Sequence, residues 1–185
     1  VLGYIFCNSL SYSGMFCFLS AGSIVYTGLF GVAPKHFGYF FLLNILVMMT
    51  ATSLNGKFVT KIGVEKSLRL GLSIQLIAGV WLLVCGIFHL GLWATVVGVA
   101  TYVGLVSVVS SSANAAILDM YPEVAGTANS LTGMLRFGIG SVVGMLLALF
   151  TIDTERPMVF AMAICIVVAV ISYVGLVRGE LQAHN

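Results

Sequence analysis

Arg136 combines a permanent charge with an apolar neighbourhood, in the stretch Ser130-Leu131-Thr132-Gly133-Met134-Leu135-Arg136-Phe137-Gly138-Ile139-Gly140. A guanidinium is planar, carries five donors and stacks on aromatic faces. Such a group suits an anionic, carbonyl-bearing or aromatic solute, or an acidic partner. The alternative is a structural arginine satisfied by backbone carbonyls where two helices touch. If its helix starts near Thr127, Arg136 sits about 14 Å along it. That depth is too great for easy snorkelling, and a cation buried there costs at least about 2.5 kcal/mol.

Polar residues elsewhere recur at helical spacing. Asn8, Ser11, Tyr12 and Met15 share one stripe, and Asn44, Met48, Thr52 and Asn55 share another. Thr101, Gly104, Ser111 and Ala115 form a narrow face, with Ser110, Ser112 and Asn114 spreading around one end. Asn129, Gly133, Arg136 and Gly140 make a fourth stripe. The candidate solute-contacting set is Arg136, Asn129, Asn8, Tyr12, Asn44, Ser111 and Asn114. A lining of amides, hydroxyls, aromatic rings and methionine suits an amphiphilic organic molecule better than a bare ion.

Other chemistries lack their residues. There is no Walker loop, no HExxH and no CxxC, so no metal, cofactor or ATP motor is expected. Ser110-Ser111-Ser112 has no His or Asp beside it and reads as helix–helix bonding and cavity lining. Cys7, Cys17, Cys85 and Cys165 all lie in apolar runs and read as small buried hydrophobes. Cys7 and Cys17, on one helix, would stand about 15 Å apart, too far to bridge.

These side chains need elements to hold them, and composition says which. Of 185 residues, 60% are hydrophobic and 8% charged, with a mean hydropathy of +1.12. A soluble domain carries about 25% charged residues. A soluble enzyme, a disordered tail and a nucleic-acid binder are therefore excluded. The net charge of +2 is too small and scattered for a phosphate-tracking patch. An integral membrane protein remains, with the lipid bilayer as its solvent. The chain opens on Val1 and runs straight into apolar sequence, which suggests a piece of a longer protein. Residues 1–34 carry no charge, so no basic region marks a signal peptide.

A helix needs about 20 apolar residues to cross the hydrocarbon core. Charge-free runs then predict six spans, 1–29, 37–55, 70–88, 92–118, 127–149 and 157–177, in one bundle. His89-Leu90-Gly91 supplies a turn between the third and fourth. Pro34 and Pro122 fall in predicted loops, and Pro157 in a first helical turn. Lys57, Lys61, Lys66, Arg69 and Arg178 collect on one side, against Lys35 and Arg156 on the other. That bias places both ends of the segment in the cytoplasm. No Asp or Glu falls in a span: Asp119, Glu123, Asp153 and Glu155 lie in loops. A proton-coupling acid would belong to sequence outside these residues. His36, His89 and His184 read as loop or tail residues.

Ser, Thr, Asn and Gln number 7, 5 and 2 in the first three spans, then 7, 5 and 1. The pattern predicts two triplets, each with two helices toward a polar cavity and a third facing lipid as scaffold. Duplicated triplets of inverted topology underlie many secondary transporters. Chance, or hydroxyls used only for close packing, would give the same counts. The 21 glycines, including the Gly140/Gly144 pair and the Gly71–Gln75–Gly79 face, read as sites of close helix approach.

Gly56-Lys57-Phe58-Val59-Thr60-Lys61-Ile62-Gly63-Val64-Glu65-Lys66 resembles a degenerate second copy of the loop signature of the major facilitator superfamily. Thr60 stands where the signature has an acid, and Val64-Glu65 interrupts the basic pair. What survives is Gly56 and Gly63 for a tight turn and Lys57, Lys61 and Lys66 at anionic headgroups. The stretches 26–38, Leu43-Asn44, Leu54-Asn55-Gly56 and Ala125-Gly126-Thr127-Ala128-Asn129-Ser130-Leu131 resemble the Bcr/CflA group of drug:proton antiporters. Arg136, where many exporters carry Gln, is similar to the YdhC-like branch, which includes purine nucleoside transporters. The resemblance covers the whole chain as the C-terminal six-helix bundle, a 3+3 inverted repeat. It implies alternating access against a missing N-terminal six-helix half, a small organic substrate, protons as coupling partners, and a bacterial inner membrane. The competing readings are a stand-alone channel or structural membrane subunit and, with least support, an intramembrane enzyme.

Overall fold

The computed structural model describes residues 2–150 and 156–177. Its elements are α1 (Leu2–Ile24, continued by a π turn to Leu29), α2 (Pro34–Ile62), α3 (Val64–Phe88), α4 (Leu92–Met120), α5 (Ala125–Leu149) and α6 (Arg156–Ser172, continued by a π turn to Val177). All six are long and apolar enough to cross a membrane. Helices are the physical answer here, because they satisfy their own backbone groups where water is absent. Arg178, His184 and the acids Asp153 and Glu155 lie outside the described residues.

Two boundaries differ from expectation. No loop separates residues 55 and 70: α2 runs on to Ile62, one residue turns the chain, and α3 starts at Val64. Charge does not stop these helices, because exposed Lys57, Lys61 and Lys66 can reach headgroup water from a helix that overruns the hydrocarbon. Gly63 alone makes the corner, at φ 87° and ψ 156°, a conformation that side-chain-bearing residues avoid. Gly56 lies inside α2 and makes no turn, correcting its expected role. Pro34, expected in a loop, is the first residue of α2, where its missing N–H costs nothing.

The helices pack in pairs that repeat. α1 packs on α5 as α4 packs on α2, and α3 packs on α4 as α6 packs on α1. α1 and α4 meet each other, as do α3 and α6. Exchanging the first three helices with the last three therefore reproduces the contact pattern. Being three crossings apart, the copies run in opposite senses. α1 and α4 form the buried centre, α3 and α6 close one side, and α2 and α5 flank it with most of their surface exposed.

Small residues permit these approaches. Cβ atoms at Gly140 and Gly144 would run into Phe16 and Ser20 of α1, and one at Gly79 into Ile166 of α6. Gly79, Gly140 and Gly144 are thus contact points, whereas Gly126, Gly133 and Gly138 of α5 face open space. The scaffold expectation holds for only part of the third helices: Leu70, Ile74, Ile77 and Ile164, Val168, Ile171 are exposed, while Leu68, Leu82, Val159 and Ile166 are buried. Hydroxyls in α1 are also consumed in packing. Ser11 donates to Gln75 Oε1 at 2.8 Å, Ser9 to the Thr132 carbonyl at 3.5 Å, and Ser13 to the Ser9 carbonyl at 2.8 Å. The four cysteines are buried, and no disulfide joins them.

Candidate functional site

Arg136 stands eleven residues into α5, about 17 Å from its start. Its guanidinium carbon lies 4.0 Å from the centroid of the Tyr12 ring on α1. Nη2 donates to Ser110 Oγ on α4 at 3.2 Å. Nε is buried with no hydrogen-bond partner among the described residues. Between half-buried groups a cation–π contact is worth about 0.5–2 kcal/mol, and a hydrogen bond from a charged donor about 1.5–3. These contacts offset part of the burial cost and leave the buried Nε–H without an acceptor.

One helical turn from Tyr12 and Ser110, Asn8 Nδ2 donates to Asn114 Oδ1 at 3.3 Å. Asn8 is fully buried, so this amide pair knits α1 to α4. Beyond it, Asn114 and exposed Asn129 line a cleft of about 200 Å³ with Ile117, Leu118 and Ala125. The α1, α4 and α5 stripes thus bring Arg136, Tyr12, Asn8, Asn114 and Asn129 into one file.

Asn44 and Ser111 belong elsewhere. The α2 stripe turns toward α4 and α1. Thr52 and Ser107 hydroxyls meet at 2.6 Å, and Asn55 Nδ2 donates to Ser111 and Ser112 at 3.5 and 3.4 Å. Ser67 donates to Asn55 Oδ1 and accepts from Ser112 at 3.3 Å, so α2, α3 and α4 are laced at one end. Asn44 is buried beside a small cavity, with Nδ2 unpartnered among the described residues.

Two contacts go beyond what the sequence pattern indicates. Ser110, not Ser111, is the α4 partner of Arg136. Consecutive residues point about 100° apart, and only the rotation of α4 against its neighbours decides between them. In the basic segment, Glu65 pairs with Arg69, whose Nε also donates to Tyr173 Oη at 2.9 Å. The i, i+4 spacing announces the first contact, whereas Tyr173 arrives only by the packing of α6 on α3. Lys57, Lys61 and Lys66 are exposed around the Gly63 corner.

Six long apolar helices in an internally repeated bundle, with a polar file running between three of them, define a membrane-spanning protein with a polar path inside it. No protein-family model matches the chain. Over all 185 residues it is 46% identical to the bicyclomycin resistance protein homolog of Haemophilus influenzae, covering 46% of that protein. Over 184 residues it is 27% identical to the uncharacterized MFS-type transporter YdgK of Bacillus subtilis, again covering 46%. The chain spans about half the length of the curated relatives it matches. Its whole length is thus similar to half of a major facilitator transporter of the bicyclomycin-resistance (Bcr/CflA) kind, and its six long apolar helices are those of a multi-pass membrane protein.

Proposed function

We propose that this segment is the C-terminal half of a proton-coupled exporter of small organic molecules, working by alternating access in a bacterial inner membrane with both segment ends cytoplasmic. The observation that carries the proposal is Arg136, a mid-span cation held between Tyr12 and Ser110 with a donor to spare. The half-length match and the repeated packing support it. The flanking helices α2 and α5 leave large apolar side chains such as Met49, Phe41, Met134 and Met145 exposed, a surface suited to a partner bundle or lipid.

In this reading Arg136 and Tyr12 grip the polar and aromatic parts of the substrate, and Asn114 and Asn129 line its cytoplasmic approach. Asn8 braces α1 against α4 behind this file, and Asn44 and Ser111 lie apart from it, toward α2. The name of the Haemophilus influenzae relative points to bicyclomycin as a first substrate to try. The acids of the described residues, Glu65, Asp119 and Glu123, lie at helix ends or in a turn. The coupling acid is accordingly placed in the other half.

The test is efflux of bicyclomycin and a panel of amphiphilic solutes by the whole gene product, with and without a proton uncoupler. Arg136→Ala should abolish or redirect transport at normal membrane abundance. Unchanged transport in that variant would remove Arg136 from the mechanism. Transport indifferent to the uncoupler would remove the proton.

A further inference from the structure

A cleft of about 240 Å³ opens between the start of α3 and the end of α6. Leu76, Val170 and Val174 give it apolar walls, and Arg69, Ser73 and Tyr173 give it polar atoms. Arg69 stands five residues past Val64, the first residue of α3, about 7.5 Å along the helix. The Gly63 corner and the exposed Lys57, Lys61 and Lys66 lie at the same end. In a bilayer this is the depth of the phospholipid headgroups.

Arg69 is held in place and still accessible. Its Nε donates to Tyr173 Oη at 2.9 Å and its Nη2 to Glu65. Tyr173 Oη in turn donates to Glu65 Oε1 at 3.5 Å. These bonds pin the guanidinium at the rim, where the Arg69 side chain is 47% exposed. A guanidinium carries five donors, so the Nη1 pair remains for an anion. Among the described residues Arg69 is the one charged group lining the cleft, because Glu65 lies outside its walls. Ser73, four residues on and on the same helix face, is exposed.

The surroundings indicate where such an anion comes from. Leu70, Ile74 and Ile77 of α3 and Ile171 and Val174 of α6 are exposed beside the cleft, so it opens on lipid and not on the polar file around Arg136. A cavity of about 150 Å³ holds a benzene ring. This one therefore admits a phosphate with the first few carbons of a chain, and the remaining chain lies on the exposed isoleucines. Basic pockets between transmembrane helices suit anionic headgroups. We propose that the α3–α6 cleft binds one anionic phospholipid, such as phosphatidylglycerol. Its phosphate accepts from Arg69 Nη1 and Ser73 Oγ, and its upper chain carbons lie between Leu76 and Val170. This goes beyond the exporter reading and needs only that the six helices span a bilayer.

The experiment is photolabelling of the whole gene product in phosphatidylcholine nanodiscs, using phosphatidylglycerol with a diazirine near the top of one acyl chain. Labelling should saturate and map to the peptides holding Ser73, Leu76 and Val170. Unlabelled phosphatidylglycerol should displace the probe about fivefold better, mole for mole, than phosphatidylcholine with the same chains. In Arg69→Gln that gap should close toward one. In Glu65→Gln, which frees Nη2, it should hold or widen. Ser73→Phe, which fills the cleft and keeps Arg69, should remove the labelling.

Equal displacement by the two lipids in the unaltered protein would overturn the proposal, even if Arg69→Gln fails to fold. So would labelling that rises without saturation over all lipid-facing peptides. Stronger displacement by phosphatidylethanolamine than by phosphatidylglycerol is also decisive against it, because Glu65 would then be selecting an ammonium group. Millimolar sn-glycerol 3-phosphate, a headgroup without chains, should leave the labelling unchanged. Displacement by it would replace the lipid with a soluble phosphate. A gap that survives Arg69→Gln but vanishes in the Lys57→Gln, Lys61→Gln double variant would reduce the effect to diffuse attraction by the basic corner.

Discussion

The guanidinium of Arg136 on α5 sits over the ring of Tyr12 on α1, 4.0 Å from its centroid. This contact joins two helices that otherwise meet through small residues, apolar side chains and the Ser9 hydroxyl on the Thr132 carbonyl. It also fixes the direction of the charge, because Ser110 holds the Nη2 edge from α4. Charge, ring and hydroxyl therefore come from three helices, and relative motion of any one would change the environment of the cation.

The ring's face should matter and its hydroxyl should not. Tyr12→Phe keeps the π surface and is expected to leave the KM for transport within about twofold. Tyr12→Leu removes an interaction worth about 0.5–2 kcal/mol and should raise KM roughly two- to thirtyfold. Arg136→Lys keeps the charge but loses the planar fork, so it should behave more like Tyr12→Leu than like the parent. Transport kinetics in inverted vesicles give the comparison, and equal KM values for all three variants would dissolve the pair's role.

A second relationship predicts stability. A Cβ at Gly14 would stand 2.6 Å from Cε1 of Tyr102 and still closer to its hydroxyl. Tyr102 is fully buried, and its hydroxyl has no hydrogen-bond partner among the described residues. Gly14→Ala should therefore destabilise by about 1–3 kcal/mol through overpacking. Tyr102→Phe alone removes an unsatisfied hydroxyl and should be neutral or mildly stabilising. Combining the two should recover part of the loss, read as thermal melting of the detergent-solubilised protein. A double variant no better than Gly14→Ala would place the clash elsewhere.

Gln75 supplies a third case. It is fully buried in α3, accepts from Ser11 Oγ at 2.8 Å and donates to the Tyr102 carbonyl at 3.4 Å. Gln75→Leu keeps the volume but strands the Ser11 hydroxyl, at a cost of about 1–3 kcal/mol. Adding Ser11→Ala removes the stranded group and should restore most of the stability. A melting-temperature cycle over the four proteins measures the coupling, and strict additivity would count against the bond.

These residues are unequally legible in the sequence. Arg136 announces itself because a charge among apolar residues needs a reason wherever its helix packs. The fold class follows from hydropathy, since backbone satisfaction in lipid leaves few options. The triplet pattern is visible in hydroxyl and amide counts, although some of those hydroxyls join helices, as Ser9 and Ser11 do, or bond within their own helix, as Ser13 does. Helix rotation stays hidden. Ser110 and Ser111 are neighbours in sequence, yet one meets Arg136 and the other Asn55. Helix ends are hidden too, because the lysines that suggest a loop stand on a helix that outruns the hydrocarbon.

The Gly63 corner yields the sharpest contrast, because two glycines of one signature do different things. Gly63 holds φ 87° and ψ 156° between α2 and α3, and its N–H donates to the Val59 carbonyl at 2.9 Å. Ser67 N–H then returns a bond to the Gly63 carbonyl at 3.1 Å, starting α3 within one residue of the end of α2. Any side chain at that φ is strained by about 1–3 kcal/mol. Gly56 lies inside α2, and a methyl group added there would meet nothing within 4 Å. At that position alanine should be neutral, or stabilising by up to about 1 kcal/mol through helix propensity. Gly63→Ala is thus expected to lower the melting temperature and Gly56→Ala to hold or raise it. A loop running from 56 to 63 would instead make both substitutions costly, or both harmless, so the contrast between the two shifts decides between helix and loop.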